Sequence, residues 1–337
     1  MQWLEKADFE AKIVIAGNHD ITLDKDFYSQ HGRQFHNKES QDSSRCISLL
    51  SSPAVTYLCH SSATIRLGDT SDPGTEFTVF GSPYSPRVGL WAFGYDRPDA
   101  TMGTPGTKLW DAIPPNTDIL ITHTPPYTHC DRGPLTDVSL GCEILQKTLW
   151  RVRPRLHICG HIHPGRGAER VRWGTDKPEN TNTTRWEDPA PDSKSSKMSL
   201  VDLTARNGNQ PLDFQRSARY ELHAPGSHPI PDTASDPARG SPCCSPTPQP
   251  EESQPSDPDD RVSRDSSSGA SSPSSATPAA GANLATDALG PAADEGWMGR
   301  GETCIVNCAI MATNWPHKGG KKLNKPIVVD LDLPVWR

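Results

Sequence analysis

The sequence lacks a surplus of positive charge and has no long apolar run. Its 34 Lys and Arg residues are outnumbered by 41 Asp and Glu residues, which gives a net charge of -7 at pH 7. Binding to the phosphate backbone of nucleic acids needs a basic face, so we predict no nucleic-acid partner. No apolar run approaches the roughly 18 residues that a membrane helix needs, and the first residues do not resemble a signal peptide. We therefore predict a cytoplasmic protein without a membrane partner.

Paired cysteines are also missing. The chain has nine cysteines, an odd number, and none of them form a Cys-x-x-Cys pair. Neither a zinc ribbon nor a disulfide framework is indicated by this distribution. A metal site in this chain would therefore use nitrogen and oxygen ligands.

Hydrophobic residues are scarce, at 34% of the chain, whereas proline is frequent, with 33 residues. Such a chain cannot bury enough apolar surface to order its whole length. Ser, Pro, Asp and Ala dominate from Pro225 to Asp294, so we predict that residues 174–300 are a low-complexity, mostly disordered insertion, with Ser199–Thr204 as an island of order.

The ordered part is predicted to lie on both sides of this insertion. Residues 1–173 would form a core, and residues 301–337 would complete it, because strand-like runs return at Thr303–Ile310 and Pro326–Leu331. Within the core, alternating residues around a Gly- and Asp-rich turn predict a hairpin, and the pattern from Cys142 to Val152 predicts a helix. Strands that alternate with a helix indicate an α/β protein.

Three of the apolar runs end in a turn that carries an imidazole. Ile13–Ala16 leads into Gly17–Asp20, Asp118–Thr122 leads into His123, and Leu156–Cys159 leads into Gly160–His163. In open α/β sheets, ligands gather just outside the carboxyl ends of the strands. We therefore expect these side chains to meet at one place.

Four of these side chains have the chemistry of metal ligands, namely Asn18, His123, His161 and His163. Imidazole nitrogen and amide oxygen suit Zn, Mn or Fe. A divalent ion there would polarise a phosphoryl oxygen and lower the pKa of a bound water, which supplies a hydroxide nucleophile near neutral pH. His19 could be protonated and donate to the leaving oxygen, and Asp20 could orient His19.

These motifs resemble the later part of the calcineurin-like metallophosphoesterase signature. The matching segments are Gly17-Asn18-His19-Asp20, the His123 turn with its Pro-Pro pair, and Gly160-His161-Ile162-His163. The chain is most similar to the metallophosphoesterase-domain-containing subgroup related to class III cyclic nucleotide phosphodiesterases, on the basis of Gly81–Tyr84, Val152–His157 and Lys325–Leu331.

The resemblance implies a four-layer α/β fold, in which a β-sandwich of two mixed sheets is flanked by helices. It also implies a centre of two divalent metal ions (Mn, Fe or Zn). Asn18, His123 and His161 would bind the second ion, His163 would bind the first, and His19 would assist the leaving group.

The first motifs of that family, Asp-x-His and Gly-Asp, do not precede Gly17. They supply the other ligands of the first ion and the carboxylate that bridges both ions. We therefore expect an N-terminally truncated core with an unpaired strand edge beside Lys12–Ala16, and one bound ion rather than two.

The predicted function is hydrolysis of phosphomonoesters or phosphodiesters, with nucleotides among the candidate substrates; this chain could be inactive without the missing motifs. The alternative is a non-catalytic module that binds nucleotides or proteins and carries a phosphorylatable Ser/Pro-rich insert.

Two further residues, His129 and Asp131, are predicted either to lie at the edge of the pocket or to lie in a solvent-exposed loop. The sequence makes no prediction of the oligomeric state.

Overall fold

A computed structural model of the chain describes residues 2–68, 74–97, 105–133, 138–188, 197–205, 210–212, 300–313, 317 and 319–336. The α-helices are α1 (Gln2–Glu5), α2 (Lys25–Phe35), α3 (Ser43–Ser48), α4 (Pro105–Asp111) and α5 (Glu143–Val152). Single 3-10 turns occur at Ile21–Leu23 and His163–Gly165. None of the helices in these ranges is long and apolar enough to cross a membrane.

The strands are short and numerous. In chain order they are β1 (Ile13–Val14), β2 (Thr56–Tyr57), β3 (Ser61–Leu67), β4 (Gly74–Ser82), β5 (Ser85–Pro86), β6 (Gly94–Tyr95), β7 (Ile119–Thr122), β8 (Leu156–Cys159), β9 (Gly167–Trp173), β10 (Thr181–Trp186), β11 (Ser199–Asp202), β12 (Glu302–Asn307), β13 (Ile327–Asp330) and β14 (Val335–Trp336).

Eight of these strands form one mixed sheet. Its order is β10-β9-β12-β8-β7-β4-β14, and β3 also pairs with β4. Strands β4, β7, β8 and β12 are parallel to their neighbours in this group, whereas β9, β10, β3 and β14 pair antiparallel. The carboxyl ends of the four parallel strands therefore lie along one edge of the sheet.

Helix α5 covers one face of this sheet. Its start is fixed by Cys142, whose Sγ accepts a hydrogen bond from Leu145 N, and its end by Arg153, which has a left-handed φ of 49° and precedes Pro154. Buried Leu145 and Leu149 pack in one cluster with apolar residues of β4, β7, β9 and β12. This packing confirms the predicted helix between Cys142 and Val152.

Two short parallel pairs of strands cover the opposite face. Strand β1 pairs with β2, and β11 pairs with β13. Their residues Ile13, Val201 and Val329 pack with Val79 and Val306 of the large sheet. The structure is therefore a sandwich of β layers with helices outside, as predicted, although the second layer consists of two parallel pairs rather than one mixed sheet.

Strand β12 lies between β8 and β9 in the large sheet. It pairs in parallel with β8 and antiparallel with β9, and all six of its residues are buried. The strand-like run predicted at Thr303–Ile310 thus contains most of a central strand of the large sheet. Because β12 follows the long polar segment in the sequence, that segment leaves and re-enters the same folded unit.

The polar segment contains more structure than its composition indicates. Strand β11 confirms the island of order predicted at Ser199–Thr204. Strand β10 lies inside residues 174–300 and was not predicted; it pairs with β9 along its whole length. The rest of the predicted disordered insertion lies mostly outside the described residues, so the domain boundaries stay a prediction.

Strand β1 has a neighbour on one side only among the described residues, namely β2. An open edge at β1 is what the sequence predicted beside Lys12–Ala16. This strand leads directly into the turn that carries Asn18 and His19.

Candidate metal centre

Asn18 and His123 lie side by side, although they are 105 positions apart in the sequence. His123 Nε2 is 2.8 Å from Asn18 Oδ1. The approach depends on Gly17, since a Cβ atom on that residue would lie 2.7 Å from His123 Cε1. The backbone of His123 is held in turn by a hydrogen bond from its N to Ser82 O, at the end of β4. The turns after β1 and β7 therefore converge, as the sequence predicts.

His161 joins this pair from the end of β8. Its ring centroid lies 4.6 Å from that of His123, with an angle of 60° between the ring planes. The residue has a left-handed φ of 63°, a conformation that few residues other than glycine adopt. A hydrogen bond from Gly160 N to His123 O links the two turns directly.

Asn307 holds the turn that carries His161. Its side chain is fully buried at the end of β12, and Nδ2 donates to Ile162 O and Cys130 O, each at 2.9 Å. Oδ1 accepts from Ala309 N. Asn307 was not predicted as a site residue, because it lies inside the strand-like run Thr303–Ile310 and does not follow it.

His163 and His19 complete the set of imidazoles. His163 begins the 3-10 turn that follows His161. His19 follows Asn18, is exposed, and has its ring centroid 4.0 Å from that of Trp91. Both rings act electrostatically on His123 and His161, so the four histidines predicted from the sequence do lie near one another.

Burial lowers the pKa of three of these imidazoles, those of His123, His161 and His163. Burial lowers the pKa of His123 to about 3, and repulsion from His161, His19 and His163 adds to the effect. Burial likewise lowers the pKa of His161 to about 4. The pKa of His163 is lowered by burial as well, although a hydrogen bond to the Thr313 backbone opposes the shift. Neutral imidazole is the form that binds metal ions.

The carboxylate of Asp20 does not have the position that was predicted for it. Asp20 Oδ2 accepts a hydrogen bond of 2.7 Å from Gly17 N, and Asp20 N donates to Gly17 O. These contacts close the turn that contains Asn18. Within the described ranges, Asp20 forms no hydrogen bond with the His19 ring, so in this structure Asp20 stabilises the turn rather than orienting His19.

His129 and Asp131 are both buried, so the expectation of a solvent-exposed loop was wrong. His129 Nδ1 lies 3.2 Å from Glu169 Oε2, and the ring packs edge-on against Trp173. Asp131 Oδ2 accepts hydrogen bonds from Thr128 N and Gly141 N. With His129 and Glu169, Thr183 and Arg185 of β10 line a separate polar cavity of about 520 Å³.

Comparison with known proteins identifies a family that the region with these turns matches. The sequence model of the calcineurin-like phosphoesterase family matches residues 2–165. Those residues belong to the calcineurin-like phosphoesterase family. The matched region contains all three turns, which carry Asn18, His123, His161 and His163.

Three relatives are similar to this chain over about half of its length. A human protein named metallophosphoesterase domain-containing protein 1 is 35% identical over 175 residues, which are 50% of this chain and 49% of the relative. A UPF0046 protein of Caenorhabditis elegans is 33% identical over 49% of this chain and 41% of its own length. A protein of Emericella nidulans named probable rhamnogalacturonate lyase C is 40% identical over 51% of this chain and 14% of its length. The chain thus spans less than half of each of these relatives.

The donor set of the calcineurin-like phosphoesterase domain fits one divalent ion. Asn18 Oδ1 and the rings of His123 and His161 converge, and all three are uncharged borderline ligands. In the part of the chain that the structure describes, no three His, Cys, Asp or Glu side chains form a group that could hold a metal ion. The donors that the structure brings together are therefore two imidazoles, those of His123 and His161, and the amide oxygen of Asn18.

Proposed function

We propose that this chain is a metal-dependent phosphoesterase that hydrolyses phosphomonoesters or phosphodiesters. The observation that carries the proposal is the convergence of Asn18, His123 and His161 from three turns that follow three different strands. Family membership supports a phosphoester as the substrate class. Nucleotides are the first candidates to test.

In this proposal Asn18, His123 and His161 hold one divalent ion, and His163 lies at the start of the turn that follows His161. When bound, the ion, with Mn, Fe and Zn as candidates, supplies positive charge to the phosphoryl group and makes a water molecule more acidic. The turn of Gly17 and Asp20 holds Asn18 in place, and Asn307 holds the turn of His161. The protein thus presents neutral ligands on a rigid edge of the sheet.

In this proposal His19 is the proton donor to the leaving group. Hydrolysis forms a bond from the water oxygen to phosphorus and breaks the ester bond, whose electron pair goes to the leaving oxygen. A protonated His19 gives its proton to that oxygen. Its ring is exposed and lies within electrostatic range of His123 and His161, so a substrate could reach both.

A non-catalytic binding module is the second candidate. In the described ranges the titratable groups that shift the pKa of His123, His161 and His163 are other histidines, and no carboxylate is among them. Two ions at the short separation of a two-metal site need negative charge between them, so the site favours a single ion. A site with one ion could bind a phosphorylated ligand without turning it over.

Turnover of bis-p-nitrophenyl phosphate with added Mn²⁺ tests the proposal. Wild-type protein should release p-nitrophenol, and His161→Ala should lower kcat/KM at least about 100-fold, since even the hydrogen-bonded partners of metal ligands are worth 10-fold to 100-fold. His36→Ala is a matched control, because His36 bonds to Tyr28 Oη at the end of α2. Folded wild-type protein that shows no turnover at any metal concentration would support the binding module instead.

Metal counting on the same samples gives a second measurement. We expect one ion per wild-type chain after dialysis and less than one in His161→Ala. Two ions per wild-type chain would contradict the single site and would point to ligands outside the described residues.

A further inference from the structure

The His19 ring has no hydrogen-bond partner among the described residues. Its described ring contact is with Trp91, at 4.0 Å between centroids and 52° between planes. An exposed side chain without such a contact would sample several rotamers. A proton donor must be held within hydrogen-bond reach of the leaving oxygen, so the contact with Trp91 bears directly on what His19 can do.

Trp91 is itself fixed to the turn that carries His19. The adjacent Ala92 N donates to Asn18 O at 3.2 Å, and Phe93 N donates to Asp24 Oδ2 at 2.9 Å. The indole also packs on Phe35 of α2, with ring centroids 5.3 Å apart. Two backbone hydrogen bonds and one aromatic contact therefore hold Trp91 in a constant relation to His19.

We propose that Trp91 is the positioning residue for His19, and that it holds the imidazole in a fixed orientation beside the turn of Asn18. The effect of Trp91 on catalysis rests on the proposed phosphoesterase function. The orientation of the His19 ring rests on the aromatic contact alone. Trp91 thus takes the orienting role that was predicted for Asp20, whose carboxylate is engaged with Gly17 N. Trp91 acts through His19, so it should affect protonation of the leaving group and leave phosphoryl binding intact.

The leaving group of the substrate separates this role from a general structural one. p-Nitrophenolate leaves readily without a proton, whereas phenolate needs more help from an acid. We expect Trp91→Leu to lower kcat about 10-fold on bis-p-nitrophenyl phosphate and about 100-fold on diphenyl phosphate, with KM unchanged. Trp91→Phe keeps an aromatic face beside His19 and should recover most of the loss.

Two controls accompany these variants. Trp3→Leu makes the same substitution at an exposed indole in α1 and should leave both substrates unaffected. Asp20→Asn should change the two substrates by the same factor, because Asp20 holds the turn. An equal loss on both substrates in Trp91→Leu, or a rise in KM alone, would overturn the positioning role.

A measurement of His19 itself does not depend on turnover. An indole this close shifts the resonance of the His19 Cε1 proton, which can be assigned with His19→Ala in the full chain loaded with diamagnetic Zn²⁺. We expect this resonance to move toward the value of an unstructured histidine in Trp91→Leu, to stay near the wild-type value in Trp91→Phe, and not to move in Trp3→Leu. An unchanged resonance in folded Trp91→Leu would refute the inference.

The two experiments fail separately. If wild-type protein is inactive but the His19 resonance depends on Trp91, the phosphoesterase proposal is wrong and the positioning contact stands as a feature of the binding site. If the enzyme is active and the Trp91 variants behave like Trp3→Leu in both experiments, the positioning role is wrong and the phosphoesterase proposal stands.

Discussion

Among the described residues, two sets of histidines share a lowered pKa, one at the carboxyl edge of the large sheet and the other, His157 alone, in its interior. At the carboxyl edge of the large sheet, burial lowers the pKa of His123 to about 3, and the ring faces Asn18 and His161. In strand β8, burial also lowers the pKa of His157 to about 3. Yet His157 faces Thr122 on the helix-covered side of the sheet.

The hydrogen bond of His157 can be assigned a direction. Thr122 Oγ1 donates its proton to Thr124 O at 2.6 Å, so it accepts from His157 Nε2–H at 2.8 Å. The histidine is thus fixed as a neutral ring that donates into the sheet. At the edge, by contrast, the neutral rings point at one another and at an amide oxygen. A lowered pKa therefore marks burial in both sets, and the partners distinguish a metal ligand from a structural residue.

Metal addition should separate the two sets most strongly. A divalent ion at 100 times its Kd stabilises a protein that binds it only when folded by about 2.7 kcal/mol. We expect this increase in wild-type protein and in His157→Ala, and its loss in His161→Ala, in thermal melts with and without chelator. A loss of the increase in His157→Ala as well would show that the two sets act as one site.

In the absence of metal, removal of the His157 ring should lower the free energy of unfolding more than removal of a ring at the edge of the sheet. His157→Ala leaves a cavity in the packed sheet and should lower the free energy of unfolding by about 2 kcal/mol. His163→Ala, at a partly exposed turn, should change it by about 0.5 kcal/mol or less. Urea unfolding at pH 7 with chelator measures both values. Equal losses in the two variants would mean that the edge is packed as tightly as the interior.

The pH dependence of stability should be shared by both sets. His157 keeps its neutral form in the folded protein down to a pKa of about 3, whereas the ordinary value is 6.5. Below pH 6.5 protons therefore bind the unfolded chain first, and stability falls as pH falls; above pH 6.5 its contribution is complete.

Each such histidine should contribute a slope of up to about 1.4 kcal/mol per pH unit below pH 6.5. Urea unfolding of chelated protein between pH 5 and 7 measures the total slope, and His157→Ala should reduce it by one such contribution. An unchanged slope in this variant would contradict the low pKa of His157.

The sequence predicted the candidate ligands, because each of them lies in a turn that follows one strand. The run Leu156–Cys159 forms β8 with the predicted bounds, and the turns after it and after β7 bring His161 and His123 together. These predictions succeeded because a buried strand and the polar residues after it are local features of the chain. Since the carboxyl ends of parallel strands meet at one edge of the sheet, the turns were expected to lie close together in the fold.

The sequence did not predict the residues that hold these ligands in place. Asn307 bonds to carbonyl groups of two distant turns, and Trp91 packs on a histidine 72 positions earlier in the chain. Such contacts depend on which strands become neighbours, and hydrophobic periodicity does not encode strand order. Strand β10 was missed for a different reason, since its residues are exposed or half-buried and show no apolar alternation.

The place of β12 between β8 and β9 has a consequence for synthesis on the ribosome. Neither neighbour can acquire its final partner until the strand at Glu302–Asn307 has left the exit tunnel. At ordinary translation rates, the chain between the end of β9 and this strand takes on the order of ten seconds to make. During that time the nascent protein presents two unsatisfied strand edges, so chaperone engagement at this stage would govern the yield of native molecules.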